Sequence, residues 1–241
     1  KIQQFRWTKG AAECARKNLW RVIKANNIAF FTKVHALFHL MNSFLFVCII
    51  TTAILSVPLL MIKDNLQEYS YLFKYASFFL ISLLLLTLFY WVSDSNSNNA
   101  SFLLKGFFVF LVKFSLFLSV SMGLSLHNAI AVIEGYIGRK TPFIRTPKFN
   151  IKTKNDNWTE NKYLTSSINL VTMLEGLLTL YFLGGIFMAF YLADYGLLPF
   201  HLMLTLGFGY VCYYSVKHSG IFRLGFKGYD IYFRKLNTSY E

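Results

Sequence analysis

Four long apolar runs constrain this chain most, because a helix that crosses a bilayer needs about 20 consecutive apolar residues. They cover residues 34–62, 71–92, 168–192 and 197–216, and polar or charged segments separate them. Backbone inside lipid must satisfy its own hydrogen bonds, which makes a continuous apolar run of this length a helix. The expected fold is therefore all-α: a polytopic helical membrane protein with about four transmembrane helices and further helices at the interface. Composition agrees, since 55% of the residues are hydrophobic and 19% aromatic, too apolar for an ordinary soluble domain. Pro58 and the small polar residues Asn42, Ser43, Thr51, Thr52 and Ser56 in the first run are compatible with a packed bundle, where neighbouring helices satisfy freed backbone groups.

The charge is as informative as the grease. A net charge of +13 could point to nucleic acid, but the cations fall in blocks between the apolar runs and do not form one interleaved basic face. That pattern reads as membrane topology and anionic lipid headgroups, with no nucleic acid partner. The N-terminal block holds Lys1, Arg6, Lys9, Arg16, Lys17, Arg21, Lys24 and Lys33. The central block holds Arg139, Lys140, Arg145, Lys148, Lys152, Lys154 and Lys162, and the tail holds Lys217, Arg223, Lys227, Arg234 and Lys235. The links 63–70 and 193–196 contain only Lys63 between them. All three basic blocks share the cytoplasm only if the chain crosses the membrane an even number of times between each pair. Residues 102–137, apolar but carrying Lys105, Lys113, His127 and Glu134, are therefore expected to be interfacial or re-entrant and not spanning.

Three segments carry the polar residues from which a function can be argued. The chain opens without Met and in mid-element, as a piece of a longer protein would. Its first residues, Lys1-Ile2-Gln3-Gln4-Phe5-Arg6-Trp7, precede a helical pattern over 9–24. There Ala12, Ala15, Leu19, Val22 and Ile23 make one stripe, and Glu13, Lys17, Arg21 and Lys24 the opposite one. A basic amphipathic helix leading into a span lies in the interface plane. In the middle, Gly138, Pro142 and Pro147 forbid a continuous helix, so residues 138–162 form a basic, non-helical loop. Residue types alone leave two readings of that loop, a positive-inside connection or an anion-binding element. Glu175, about two turns into the third run, is a candidate channel-lining group, because an intramembrane carboxylate faces a polar cavity or solvates itself at the interface. The three cysteines, Cys14, Cys48 and Cys212, have no metal-ligand spacing and read as packing residues. The sequence contains no Gly-rich phosphate loop, no His/Cys metal cluster and no nucleophile triad, so no catalytic or metal residue is assigned within this chain.

Gln3-Gln4-Phe5-Arg6-Trp7 resembles the Q-x-x-R-W motif of the processive family 2 glycosyltransferases, the cellulose, mannan, chitin and hyaluronan synthases. In that family the motif likewise precedes an interface helix and then a membrane span. Phe143-Ile144-Arg145-Thr146-Pro147-Lys148 resembles the F-x-V-T-x-K gating loop of cellulose synthases, with Arg145 in place of the usual Val. The run from Ser125 to Arg139 is also similar to the stretch before that loop in cellulose-synthase-like glucan and mannan synthases. The resemblance spans essentially the whole chain, as the C-terminal membrane half of such an enzyme.

The resemblance implies a parent enzyme of the bacterial inner membrane that transfers a hexose from a nucleotide sugar, UDP-glucose first and GDP-mannose second. The hexose is added with inversion to a growing β-glycan, and the polymer passes through the spans. It implies that Trp7 stacks on the acceptor sugar, that Arg6 contacts the nucleotide diphosphate and that Gln3 hydrogen-bonds nearby. Phe143, Arg145, Thr146 and Lys148 would close over the bound donor. The catalytic base and the ligands of Mg²⁺ or Mn²⁺ would lie in an upstream GT-A domain, leaving this piece inactive by itself. A translocation partner protein is a further option. Two other readings stay open: a lipid glycosyltransferase of the ceramide type, which shares the motif but needs no polymer channel, and a non-enzymatic membrane scaffold or transporter.

Overall fold

A computed structural model describes residues 1–65, 68, 71, 75, 79–98, 104–140 and 169–219, and all regular structure among them is helical. The first helix, α1, is Ile2–Lys24. It is followed by α2 (Phe30–Met41), a short 3₁₀ turn at Asn42–Phe44, and α3 (Leu45–Asn65). Then come α4 (Phe79–Asn98), α5 (Leu104–Gly123), α6 (Ser125–Ile137), α7 (Leu170–Tyr191) and α8 (Leu198–His218). Phe30–Lys63, Gly106–Gly123 and Leu170–Tyr191 are long and apolar enough to cross a membrane. The protein is an all-α membrane protein.

Two expectations about the spans change. Residues 102–137, expected to be interfacial or re-entrant, form two helices, α5 and α6, broken at Gly123-Leu124, and α5 has the length and hydropathy of a span. The polar residues His127 and Glu134 belong to the second helix alone. The expected fourth span does form a helix, α8, but it is not among the three long apolar ones. Its C-terminal half is diluted by Tyr210, Tyr213, Tyr214, Ser215, Lys217 and His218. The second run is described only in part; within it Ile81–Asp94 is apolar but short.

The chain divides into two compact units, the second formed by Ile49–Gly123 and Leu178–Phe208. Close helix contacts organise that second unit. Pro58 lacks the N–H that would bond the carbonyl of Ile54, and the Tyr181 hydroxyl takes that carbonyl instead at 2.7 Å. The Ser56 hydroxyl donates to Ala53 O at 2.7 Å, which leaves it to accept from the buried His201 ring at 2.9 Å. At Gly207 a Cβ would lie 1.9 Å from the Ser119 carbonyl oxygen, so α5 and α8 meet backbone to backbone there. Trp91, Phe110 and Phe114 form an aromatic core between α4 and α5. Lys63 ends its span on Asp194, at 2.5 Å, in the turn between α7 and α8. Leu84, Leu85, Phe89, Val112, Leu180 and Phe187 stay exposed, as befits helices that lipid covers.

Candidate functional site

The first unit comprises Lys1–Cys48, Leu124–Leu177 and Gly209–Glu241, and its centre is the pairing of α1 with α6. Small residues let the two helices approach. Ala12 and Ala15 are fully buried, and a Cβ on Gly135 would come within 2.7 Å of the Ala12 methyl and 2.8 Å of the Lys9 carbonyl oxygen. The expected apolar stripe of α1 is thus its packed face, except that Ile23 stays exposed, and Lys17, Arg21 and Lys24 point away as expected. Lys9, read from sequence as one cation of a topological block, is instead buried in this contact and pairs with Glu134 at 3.0 Å.

Gln3, Arg6 and Trp7 lie inside α1, not ahead of it: the helix begins at Ile2, seven residues before the expected 9–24. Their i, i+3, i+4 spacing therefore brings them to one helical face. Gln3 is exposed, Arg6 is half-buried, and Trp7 presents 66% of its surface. Gly10, one turn on, has no described residue within 4 Å of its Cβ position. A flat exposed indole next to a guanidinium and an amide can stack on a ring and bind an anion at its edge.

The same helix pair also fixes where the central basic loop starts. α6 ends on Gly138 in the left-handed region (φ 82°), where its N–H bonds Glu134 O at 2.9 Å and the Arg139 N–H bonds the same carbonyl at 3.0 Å. Arg16 of α1 donates to the Ile137 carbonyl at 3.3 Å, placing a cation on the negative end of the helix dipole. A Cβ on Gly138 would sit 1.8 Å from the Arg16 guanidinium, so a side chain there would push Arg16 aside, while the left-handed turn itself requires glycine. Glu134 then joins both sides, with Oε2 on Lys9 and Oε1 on Arg139 at 3.1 Å. Phe143, Arg145, Thr146 and Lys148, and the rest of 141–162, lie outside the described residues.

Glu175 lies in α7, within the first unit. Its carboxylate is fully buried and receives the Lys1 ammonium at 2.7 Å and 2.6 Å on its two oxygens. Sequence reasoning missed this partner, since nothing local marks Lys1. α7 is started by Asn169, whose Oδ1 accepts the Thr172 N–H at 2.9 Å, and Cys212 packs against Thr172 and Gly176. Cys212 is thus a packing residue as expected, whereas Cys14 and Cys48 are exposed. On α6, Ser125 Oγ and both amide atoms of Asn128 are buried without a hydrogen-bond partner among the described residues. Burial first, and then Lys1, push the His127 imidazole down to about 4, so at neutral pH its Nε2–H donates to the Lys1 carbonyl at 3.3 Å. Among the described residues no group of His, Cys, Asp and Glu is placed to hold a metal ion. No protein-family model, no curated protein and no solved structure matches this chain.

Proposed function

We propose that this chain is the membrane portion of an inverting, nucleotide-sugar-dependent polysaccharide synthase that elongates a β-glycan from UDP-glucose and moves it across the bilayer. One observation carries the reading. The Gln3, Arg6 and Trp7 face and the root of the 138–162 loop are built on the same clasped helix pair, α1 and α6, joined through Lys9, Glu134, Arg139 and Arg16. The segment that the sequence likens to the acceptor motif and the first residues of the 138–162 loop thereby belong to one unit, which suits groups that share a substrate.

In this reading Trp7 stacks on the acceptor sugar and Arg6 forks onto the donor diphosphate, with Gln3 hydrogen-bonding beside them. Thr146 and Lys148 reach the diphosphate when the loop closes, with Phe143 as its aromatic anchor and Arg145 as an added cation. The described residues supply no ligand set for the Mg²⁺ or Mn²⁺ of such an enzyme, so the reading assigns the metal and the catalytic base to an upstream GT-A domain. Termini and basic loops lie on the cytoplasmic side, with the donor.

The test uses the full-length parent protein in membrane vesicles with radiolabelled UDP-glucose, comparing wild type with Trp7→Ala and Lys148→Ala. The expected result is a high-molecular-weight, glucanase-sensitive product that falls by about 10-fold or more in each variant, the equivalent of losing about 1.4 kcal/mol of contact in the transition state. Label extracted into organic solvent would replace this reading with a lipid transferase. Incorporation only from GDP-mannose would change the sugar, and silence with both donors would leave a non-enzymatic scaffold or transporter.

A further inference from the structure

We propose that Glu175 is a positioning residue: with Ser215 and His127 it anchors the first turn of α1 through Lys1, and so fixes the Gln3, Arg6 and Trp7 face. The kinetic part of this inference rests on the reading of that face as a ligand contact; the structural part does not.

The anchor is built from three helices. The Lys1 ammonium donates to both Glu175 oxygens, at 2.7 Å and 2.6 Å, and to Ser215 Oγ at 2.6 Å, which uses all three of its N–H groups. Ser215 Oγ donates onward to the Val211 carbonyl at 2.6 Å, so its own orientation is set by α8. Glu175 is completely buried and the Lys1 side chain is 26% exposed. A carboxylate at that depth is costly without a cation, so the attraction is strong and has one geometry. From α6, the His127 Nε2–H donates to the Lys1 carbonyl at 3.3 Å, and the imidazole lies 5.2 Å from the Phe5 ring. The same carbonyl accepts the Phe5 N–H at 2.9 Å, the first bond of the helix. Lys1 is thus held at both its side chain and its backbone.

This matters for the motif because the first turn carries no capping bond of its own. Lys1 sits at the N-cap position and offers no side-chain capping bond, and the first turn contains no acidic residue. Trp7 lies roughly 9 Å along the axis from Lys1, at about 1.5 Å of rise per residue. Release of the anchor lets the first turns fray and tilt, and a displacement on the order of 1 Å at a ligand-contacting group lowers rates about 100-fold.

The experiment compares the full-length protein with Glu175→Gln in two readouts: hydrogen exchange of the α1 amides and steady-state sugar transfer. The expected result is exchange about 10-fold faster in the first turns of α1, with the last turn unchanged, together with a fall in kcat/KM of about 10-fold or more. A charge-swapped pair, Lys1→Glu with Glu175→Lys, is expected to restore both. Should Glu175→Gln fail to accumulate folded, Ser215→Ala leaves the ion pair intact, and a two- to threefold rise in exchange confined to the first turns is expected. Unchanged exchange in the folded variants overturns the anchor. Faster exchange with wild-type kcat/KM overturns its link to the motif. A wild type that transfers no sugar overturns the synthase reading instead, and the exchange comparison still decides the anchor.

Discussion

Asp194 holds the turn between α7 and α8 with both carboxylate oxygens. Oδ1 accepts the Gly196 N–H at 3.1 Å, and Oδ2 accepts the Lys63 ammonium at 2.5 Å. The bond from Lys63 holds its carboxyl below the ordinary 3.8, outweighing partial burial. The folded state therefore binds this proton less readily than the unfolded state. Its stabilisation is complete above the ordinary value and is lost as pH falls through 3.8 and past the lowered one. Both side chains are partly exposed, so the contribution is about 1 kcal/mol or less. Thermal unfolding of wild type and Asp194→Asn in detergent should show wild type ahead at about pH 7 and the gap closing towards about pH 3; a constant gap would contradict the assignment. At this scale the sequence was half legible. The depth of Glu175 marked it as a channel-lining or interface-solvated carboxylate, but its partner Lys1 is 174 positions away, and no local pattern reports a contact of that range. The use of Gly138 as a turn residue was readable from the glycine itself; the Arg16 guanidinium beside it was not.

Helix crossings obey the same division. Gly207 and Gly184 look alike in sequence, as glycines within long apolar helices, yet their surroundings differ sharply. A Cβ on Gly207 would be 1.9 Å from the Ser119 carbonyl oxygen, and one on Gly184 would meet nothing within 4 Å. Gly207→Ala is expected to destabilise the protein by about 1–3 kcal/mol, because backbone cannot yield as a side chain does. Gly184→Ala is expected to be neutral or stabilising by up to about 1 kcal/mol, from helix propensity alone. Unfolding in detergent separates them, and equal effects would argue against the α5–α8 crossing. The apolar runs made the spanning helices legible, and the stripe at Ala12 and Ala15 made the packed face of α1 legible. Two boundaries were not. Nothing from Ile2 to Thr8 opposes a helix, since the segment has neither Pro nor Gly, so α1 extends back through the motif. The break at Gly123, which divides residues 102–137 into two helices, falls in an apolar stretch with no Pro to mark it.

Across the whole molecule, the basic N-terminal block and the start of the central basic loop belong to one compact unit, as the proposed reading asks of groups that share an anion. In the proposed reading this unit presents contacts and contributes no base or metal. The 241-residue chain reconstituted alone should therefore incorporate no label from UDP-glucose, while the full-length parent does; incorporation by the chain alone would place catalysis within it. The Lys1–Glu175 pair has a further consequence, for the order in which the protein is assembled. Lys1 is synthesised 174 residues before its counter-charge, roughly 9–35 s at about 5–20 residues per second. Until then the ammonium must remain hydrated, so the first turn of α1 cannot dock. Emergence of α7 from the ribosome supplies the missing carboxylate, and only then can the motif-bearing turn settle, made before its partner but docked after it.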